Sequence, residues 1–504
     1  MPDKLVVTNR AALSAKYGAR LADIEAAITK LRASDAKRGL VTELVYLDDA
    51  ATHKATGQLV AEPGDPADNK AAIDAAYTHW APDYLMLLGA TDVIPHQDLR
   101  NPMFNVNSRD DNPFAWSDLP YACDAPYSQR IEQFLGPTRV VGRLPDIVAA
   151  TDATYLVNRL LDAASAVPQP RSAFTGKFGL TAKAFVAAGT ANLTTIFGDA
   201  SGLVTSPTGG PNWPQAVIAQ RSHVVSCHGG PASPTFFGDD GIDYPDALSA
   251  SSLRGNVSQG AVATAECCYG AQLYNPADAY GKAGICSTFL EEGGVAYFGS
   301  TNVAYSDDAV VGWAGLITQF FWDAILRGES SGSATAEARQ RYAAAQTDPA
   351  GMKTLAQFIL LGDPSIHPVQ VDPAPRSGKP HEDLLFDGIA PQVLDRAGRG
   401  SRRATLAQQG RYLAATTSFA GDASDEGRRP DILALGERLG AEVSYFTYPI
   451  REPGIVVNLV PEPDRRYHVM TAGRRLDNGI TLIRGILALE VASEIVSVRE
   501  FVSR

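Results

Sequence analysis

Two apolar runs near the middle of the chain each end in side chains that can carry out nucleophilic chemistry. Residues 222–230 read Ser-His-Val-Val-Ser-Cys-His-Gly-Gly, and residues 260–270 read Gly-Ala-Val-Ala-Thr-Ala-Glu-Cys-Cys-Tyr-Gly. A cysteine attacks a carbonyl carbon only as the thiolate, and its ordinary pKa of about 8.5 leaves most of it protonated near pH 7 unless a base assists. If the two runs are neighbouring strands of one sheet, His228 supplies that base and Cys268, or alternatively Cys267, is the nucleophile.

The surroundings of the two cysteines differ. Adjacent residues of a strand point to opposite faces of a sheet, so Cys267 faces one side while Glu266 and Cys268 face the other. Gly229 and Gly270 lie next to the reactive side chains. Because glycine has no Cβ, we expect these two positions to admit the substrate backbone and to offer a backbone N–H to a developing oxyanion.

Both cysteines also have plainer interpretations. Cysteine is among the most buried residue types, and a Cys-Cys pair at a strand end can serve packing alone. A zinc site built from the two neighbouring pairs is disfavoured, because adjacent strand residues diverge and cannot easily converge on one ion. That site would use Cys227, His228, Cys267 and Cys268. No metal is therefore predicted in the site.

Composition limits the class of protein. A chain of 504 residues exceeds the size of one typical hydrophobic core, so two or three domains are expected. The net charge of −12 argues against binding to nucleic acid or to an anionic membrane, since both require a basic surface. The odd number of cysteines favours free thiols in a reducing compartment. With no apolar run of 18 residues and no apolar leader at its start, the chain is expected to be cytoplasmic.

The predicted elements position these residues in an α/β fold. Apolar runs predict strands at 5–8, 41–47 and 84–89, and the segments between them predict helices at 11–38 and 69–80, which together indicate a parallel layer. A second layer is predicted from strands at 222–227, 261–266 and 294–299 and helices at 183–196, 310–327, 334–346 and 353–361. We expect four parts: an N-terminal α/β subdomain at 1–166, a catalytic subdomain at 167–370, a linker at 371–430 and a small α+β unit at 431–504. In the last part, a helix is expected at 431–439 and strands at 455–459, 467–471 and 480–487.

An arginine-rich segment lies in the predicted linker. Residues 395–411 carry Arg396, Arg399, Arg402 and Arg403 among Gly, Ser and Gln, a composition too polar to bury, so a solvated and mobile loop is expected there. Other site motifs are absent: the sequence has no phosphate loop, no dinucleotide fingerprint, no G-x-S-x-G elbow and no H-E-x-x-H helix. No organic or redox cofactor is therefore predicted.

The two strand ends resemble those of a known family. Residues 266–270 resemble the acid-or-Gln, any, Cys, any, Gly pattern of caspases, metacaspases and legumains, and residues 226–229 resemble the histidine-bearing strand end of those proteins. The roughly 40-residue separation is similar to the caspase-type arrangement, in which the histidine lies roughly 50 residues upstream of the cysteine. The flanks are similar, in the same order, to landmarks of the gingipain group of prokaryotic peptidases. These flanks are 84–95, 117–121, 140–145, 296–301 and 360–365.

The resemblance implies a caspase-haemoglobinase three-layer α/β sandwich and a Cys-His dyad that hydrolyses peptide bonds. By position, His228 is the general base or acid and Cys268 the nucleophile, although the Cys-x-x-Gly spacing common in gingipain-like members would select Cys267. Glu266 falls where caspase relatives line the first specificity pocket, so cleavage after Arg or Lys is expected. The alternative for Glu266 is a structural hydrogen bond.

Further expectations concern control of the enzyme. Exposed arginines in an Arg-directed protease are candidate processing sites, so the arginine-rich segment predicts a zymogen that an upstream protease or the enzyme itself activates. Some prokaryotic caspase-like proteins act as triggered proteases in antiviral defence or cell suicide, and the resemblance is compatible with that role. Some relatives use structural calcium. The alternative from another class is a catalytically silent caspase-like scaffold that binds protein partners.

Overall fold

Short apolar runs form the strands, and Ala-rich amphipathic segments form the helices, as expected from their periodicity. A computed structural model describes residues 1–104, 110–307, 309–370, 396–424, 429–440, 442–452 and 464–504. The strands of its first half are β1 (Lys4–Thr8), β2 (Thr42–Tyr46), β3 (Tyr84–Leu88), β4 (Gln97–Arg100), β5 (Phe114–Ser117), β6 (Val141–Leu144), β7 (Gln169–Pro170), β8 (Lys177–Ala182), β9 (Leu203–Ser206), β10 (Ser222–Ser226), β11 (Thr235–Phe237) and β12 (Asp246–Ser249). The later strands are β13 (Val262–Ala265), β14 (Ala296–Ser300), β15 (Tyr305–Ser306), β16 (Phe358–Gly362), β17 (Val369–Gln370), β18 (Phe419–Ala420), β19 (Ser444–Arg451), β20 (Arg465–Arg475), β21 (Thr481–Val491) and β22 (Glu494–Ser503).

The helices are distributed along the whole described chain. They are α1 (Arg10–Tyr17), α2 (Leu21–Lys37), α3 (Ala50–Thr56), α4 (Pro66–Trp80), α5 (Thr154–Ser165), α6 (Val186–Phe197), α7 (Gln215–Ile218), α8 (Ala250–Leu253), α9 (Ile285–Glu291), α10 (Trp313–Leu326), α11 (Ser331–Ala345), α12 (Pro349–Gln357), α13 (Arg396–Thr416) and α14 (Pro430–Glu437). Short 3₁₀ helices lie at Gly18–Arg20, Pro120–Ala122, Ile131–Phe134, Arg171–Phe174, Lys183–Phe185 and Pro276–Ala279. Within the described ranges, no helix is long and apolar enough to cross a membrane.

Ten strands form one large, mostly parallel sheet in the order β2-β1-β3-β6-β16-β14-β13-β10-β8-β9. Strand β16 runs antiparallel to β14 and joins the N-terminal strands to those that follow β7. The structure therefore confirms an α/β fold. The two layers expected from the sequence are a single continuous sheet, because the apolar Phe-Ile-Leu-Leu run of β16 fills the position between them.

Both faces of this sheet are covered. Val224 and Val262 join the apolar cluster of α10, whereas the next residues along the same strands, Val225 and Ala263, join the cluster of α8 and α9. This alternation follows from the two-residue period of a strand. The strands are buried on both sides, as is usual for parallel sheets, and this explains why they appear in the sequence as continuous apolar runs.

One predicted helix near the sheet ends early, and two strands of the sheet were not predicted. The helix expected at 353–361 ends at Gln357, and residues 358–362 form β16. Strands β8 and β9 were not predicted, because Gly179 and the Thr and Ser residues of these segments weaken the apolar pattern. Most other predicted strands and helices of the first 370 residues are confirmed, with shifts of a few residues at their ends.

The C-terminal part forms a small α+β unit. Its antiparallel sheet has the order β15-β22-β21-β20-β19-β18, and α14 packs on β20 and β21. The predicted helix at 431–439 and strands at 467–471 and 480–487 are confirmed with different limits, whereas β19 and β22 were not predicted. The strand expected at 455–459 lies outside the described residues. Because β15 follows β14 in the chain, this sheet extends directly from the region around the candidate site.

The arginine-rich segment is a helix, so the prediction of a mobile loop is wrong from residue 396 onward. Helix α13 lies against the body of the protein, where Arg399 is only 7% exposed and pairs with Asp3 and Asp83 at 3.1 and 3.4 Å. Arg402 pairs with Glu329 at 2.9 Å, and Arg403 pairs with Asp83 at 3.2 Å. The carboxylates come from distant parts of the chain, which is why local composition indicated solvation. Asp395 lies outside the described residues.

Candidate active site

Strands β10 and β13 are parallel neighbours, which confirms the predicted pairing. Their register places Val225 opposite Ala265, so the residues that follow each strand leave the sheet at the same edge. His228 lies in the loop that follows β10, and Cys268 lies in the loop that follows β13. A cavity of about 440 Å³ on this edge is lined by residues that follow β3, β13 and β14, so the carboxyl ends of strands from both halves of the sheet open on the same side, as expected for parallel sheets.

Gly229 allows the loop after β10 to contact the loop after β13. A Cβ at this position would lie 1.8 Å from the backbone oxygen of Cys268, a separation that no real side chain tolerates. The sequence suggested that this glycine gives a substrate access to the imidazole. The structure adds a steric requirement for glycine at this position, because any larger residue would push the loop of His228 away from the loop of Cys268.

His228 is buried and oriented by a carboxylate. Its Nε2 lies 2.9 Å from Oδ2 of Asp239, its backbone exchanges hydrogen bonds with Phe237, and its ring packs edge-on against Phe185 at 5.1 Å. Among the described residues, Nδ1 has no hydrogen-bond partner. Burial lowers the pKa of His228, and the hydrogen bond and charge of Asp239 oppose that shift. The imidazole is therefore neutral near pH 7, with Nε2 donating to Asp239 and Nδ1 available to accept a proton.

Sequence reasoning missed Asp239. Its only local signal is a Gly-Asp-Asp-Gly turn at 238–241, which is typical of any polar turn. The fold brings this turn back beside the histidine through the β11–β12 hairpin.

Cys268 is buried where its own loop contacts the loop of His228. The backbone N–H of Ala304 donates to Sγ at 3.2 Å. Burial raises the pKa of the Cys268 thiol to about 12, while hydrogen bonds from the backbone N–H groups of Ala304 and Arg504 and the charge of Lys353 act to lower it. The thiol is therefore protonated in this arrangement, and it needs a base or the loss of its cover to ionise.

Cys267 lies on the opposite face of the sheet. Its Sγ is 3.9 Å from the backbone oxygen of Val225, and it packs in an apolar cluster that includes Cys227. Burial and the neighbouring Cys227 raise the pKa of Cys267 well above its ordinary value. Nowhere in the described part of the chain do three His, Cys, Asp or Glu side chains gather as a group that could hold a metal ion.

The backbone of Arg504 occupies the junction between the two loops. Its carbonyl oxygen accepts hydrogen bonds from the N–H groups of Cys268, at 2.8 Å, and Gly229, at 3.3 Å. Its own N–H donates to the backbone oxygen of Ala304 at 3.0 Å. Two converging N–H groups beside a thiol have the geometry of an oxyanion hole, and the Arg504 carbonyl oxygen is the acceptor that they share.

The residues before Arg504 bind as a strand. Val502 and Ser503, at the end of β22, pair antiparallel with Ser306 and Tyr305 of β15. An extended peptide that adds a strand to a sheet edge is a common mode of peptide recognition. Residues 502–504, which we call the docked segment, thus have the geometry of the acyl side of a bound substrate.

Gly270 does not contribute to this hole. Its backbone N–H donates to the oxygen of Cys267 at 3.1 Å, within the turn that follows β13. The prediction for Gly270 is therefore wrong, and the N–H of Cys268 itself takes that place beside Gly229. The cause is the tight turn at Tyr269, whose backbone adopts a positive φ of 56° and directs the Gly270 N–H back into the turn.

The side chain of Arg504 is fully buried. Its guanidinium lies over the ring of Phe185, 3.8 Å from the ring centroid, and Nη2 donates to the backbone oxygen of Asp307. Stacking of a guanidinium on an aromatic face is favourable, and more so away from water. The pocket that receives this side chain therefore provides a flat apolar wall and a carbonyl acceptor.

Glu266 contributes the negative charge nearby. Burial raises its pKa, and the positive charge of Arg504 is the largest influence that lowers it. Its Oε1 also accepts hydrogen bonds from Asn192, at 2.5 Å, and Thr318, at 3.2 Å. The two interpretations of Glu266 are thus compatible, since structural hydrogen bonds hold a carboxylate whose charge acts on an arginine.

The loop at 89–96, which follows β3 at the same edge of the sheet, is braced by a buried ion pair. Arg143 donates to both carboxylate oxygens of Asp118, at 2.8 and 2.6 Å, and also to backbone oxygens of this loop. Nδ1 of His96 donates one further hydrogen bond to Oδ1 of Asp118 at 2.8 Å. This cluster stabilises the loop and does not include His228 or Cys268.

One comparison with known proteins, that with family models, agrees with this chemistry. Residues 226–369 match the model of Peptidase family C25, and the match contains both His228 and Cys268. A solved structure described as "Structure of Protease" aligns over 99% of this chain and 96% of its own, with 15% sequence identity and a TM-score of 0.47. A comparison with curated proteins found no match. Residues 226–369 are therefore similar to the C25 peptidases, and the chain is a cysteine peptidase, a hydrolase.

Proposed function

We propose that the protein is a caspase-like cysteine endopeptidase that cleaves after arginine, with Cys268 as nucleophile and His228 as general base and acid. The observation that carries this proposal is the docked segment. Its Arg504 carbonyl accepts hydrogen bonds from Gly229 and Cys268, next to the Cys268 thiol. A protein or peptide substrate would occupy the same position with its P1 residue.

The proposed reaction proceeds in two steps. Sγ of Cys268 attacks the P1 carbonyl carbon, and its proton passes to Nδ1 of His228, while the N–H groups of Gly229 and Cys268 stabilise the oxyanion. The peptide bond then breaks as the imidazolium gives its proton to the leaving amine, and a thioester remains. Water, deprotonated by His228, hydrolyses that thioester and regenerates the thiol. Asp239 is a positioning residue, since it fixes the tautomer that leaves Nδ1 as the acceptor.

The pocket favours arginine over lysine at P1. Phe185 offers an aromatic face, the Asp307 oxygen accepts an N–H, and Glu266 supplies a negative charge. A planar guanidinium uses all three, whereas an ammonium group is a compact and strongly hydrated point charge that stacks less well. Lysine substrates are therefore expected to be cleaved more slowly.

The biological role extends this proposal. We propose a cytoplasmic enzyme, activated by a trigger, in a bacterial antiviral or cell-death pathway. Processing at Arg396, Arg399, Arg402 or Arg403 would require α13 to detach first, because these residues are helical and all four are paired with carboxylates of the body. An upstream activating protease would thus meet this segment only after unfolding of the helix.

The experiment is a comparison of two adjacent cysteines. Wild-type protein, Cys268→Ala and Cys267→Ala are assayed with fluorogenic Arg, Lys and Asp peptides, each also in an Arg504→Ala background. We expect Cys268→Ala to lower turnover at least about 10³-fold, as nucleophile removal does in other peptidases, and Cys267→Ala to keep most of it. Substantial activity in Cys268→Ala, or its loss in Cys267→Ala alone, contradicts the assignment. No turnover by any cysteine-intact form would favour the silent scaffold.

A further inference from the structure

The docked segment occupies the site in three ways at once. Its backbone fills the oxyanion hole, its arginine fills the specificity pocket, and its strand takes the sheet edge of β15. Cys268 is only 1% exposed in this arrangement. A substrate cannot add to β15 or present a P1 residue while residues 502–504 remain in place.

The docked segment is held in its bound conformation by the rest of the C-terminal sheet. Strand β22 pairs with β21 from Val491 back to Arg484. The hydroxyl of Ser503 donates to the oxygen of Thr481 at 2.8 Å and accepts the N–H of Ile483 at 2.8 Å. Because the strand is already ordered, its binding loses little conformational entropy, and a preorganised ligand binds more tightly for that reason.

The same unit also covers His228. A cavity of about 490 Å³ lies between the two parts of the molecule. Its lining includes His228, Asp239 and Tyr244 from the peptidase side and Arg474 and Arg484 from the C-terminal sheet. Arg474 donates to the hydroxyl of Tyr244 at 3.3 Å. The leaving-group side of the site thus opens beneath the C-terminal unit.

Resting on the proposed function, we propose that the C-terminal unit is a built-in inhibitor, with Arg504 bound as a P1 residue, and that the cleaving form is one in which the docked segment has left the site. The competitor is part of the same chain, so it acts at an effective concentration of about millimolar order. If the free segment bound with a dissociation constant of roughly 0.1 mM, the molecules with an occupied site would then outnumber those with an empty site about tenfold.

The test compares Arg504→Ala with wild-type protein. A competitive intramolecular ligand raises KM and leaves kcat unchanged, so Arg504→Ala is expected to lower the KM for an Arg peptide about tenfold or more with the same kcat. Arg438→Ala is the matched control, because Arg438 is an exposed arginine of the same unit that pairs with Glu500 at the surface. Equal KM values for wild-type protein and Arg504→Ala would overturn the proposal.

A second measurement separates this inference from the function on which it rests. Iodoacetamide labels an accessible thiol whether or not the protein cleaves peptides, and mass spectrometry identifies the labelled cysteine. Alkylation of Cys268 is expected to be at least about tenfold faster in Arg504→Ala than in wild-type protein, by the same occupancy argument, and Arg438→Ala should react as wild type does. Faster alkylation without peptide cleavage would refute the proposed function but would still support the docked segment as a ligand that covers Cys268. Equal alkylation in both forms would refute the resident ligand even if both cleave peptides.

Discussion

Glu266→Gln tests the origin of arginine specificity. Glutamine keeps the size of the side chain and its Oε1, which can still accept from Asn192 and Thr318, so the substitution removes the charge and little else. Electrostatic coupling between a buried charge and a bound charge of opposite sign is worth about 1.5 kcal/mol or more, and 1.4 kcal/mol is a factor of ten. We therefore expect kcat/KM for an Arg peptide to fall roughly 10–100-fold.

The assay uses the Arg504→Ala chain, in which no resident arginine competes. It compares kcat/KM for an Arg peptide with that for the same peptide containing citrulline, the uncharged isostere of arginine. Only the Arg value should fall in Glu266→Gln. Glu329→Gln is the control, because it removes another largely buried carboxylate, the partner of Arg402, far from the cysteine. An unchanged Arg-to-citrulline ratio in Glu266→Gln, or an equal drop in Glu329→Gln, would refute the charge as the source of specificity.

The same carboxylate predicts a pH effect on recognition. Burial raises the pKa of Glu266, and the charge of a bound arginine lowers it, so arginine binding favours the ionised form. Affinity for an Arg substrate is then complete above the pKa of the empty site and is lost as pH falls through that raised value. The expected result is a fall in kcat/KM on the acid side for Arg peptides that citrulline peptides and Glu266→Gln do not show. If kcat/KM falls identically at low pH for the Arg and the citrulline peptides, ionisation of Glu266 is not the cause of the pH effect.

Three other substitutions test the remaining parts of the site and fold. Asp239→Asn should lower kcat about 10²-fold or more, because the imidazole of His228 loses the partner that orients it. It should also move the acid limb of kcat/KM to lower pH, since the charge of Asp239 acts to raise the pKa of His228. An unchanged pH–rate profile would exclude Asp239 as the residue that positions His228. Gly229→Ala should destabilise the protein by about 1–3 kcal/mol through overpacking, seen as a lower Tm, and should remove most turnover because its Cβ would overlap the Cys268 oxygen; full activity would argue against the close contact. Arg399→Ala should speed tryptic cleavage within α13, because its pairs with Asp3 and Asp83 are lost; cleavage as slow as in wild-type protein would contradict the anchoring of the helix.

Local pattern was sufficient for much of the fold. The apolar runs at 222–226 and 262–265 are buried strands in a parallel sheet, and such strands must be apolar on both faces. Alternation along a strand also predicted that Cys267 and Cys268 face different environments, and the structure places the two thiols in different clusters. Strand identity was lost where polar and small residues interrupt the pattern, as in β8 and β9.

The arginine-rich segment shows where local pattern fails. Its composition is that of a solvated loop, yet residues 396–416 form a helix whose arginines pair with carboxylates from distant parts of the chain, at Asp3, Asp83, Asp124, Glu329 and Glu337. Charge pairing of this kind is decided by which surfaces meet, and no window of sequence contains both partners.

By itself, the sequence determined the α/β class, the pairing of β10 with β13 and the residue types that reach their ends, because these depend on short-range periodicity. Only the tertiary structure decided what surrounds those ends. It brought Asp239 to the histidine through a hairpin and carried Arg504 from a distant sheet to the loops after β10 and β13. A tight turn directed the Gly270 N–H to Cys267, while the Cys268 N–H donates to Arg504. Each of these contacts joins backbone groups that any residue type possesses or side chains far apart in the chain, so their positions follow from packing and not from composition.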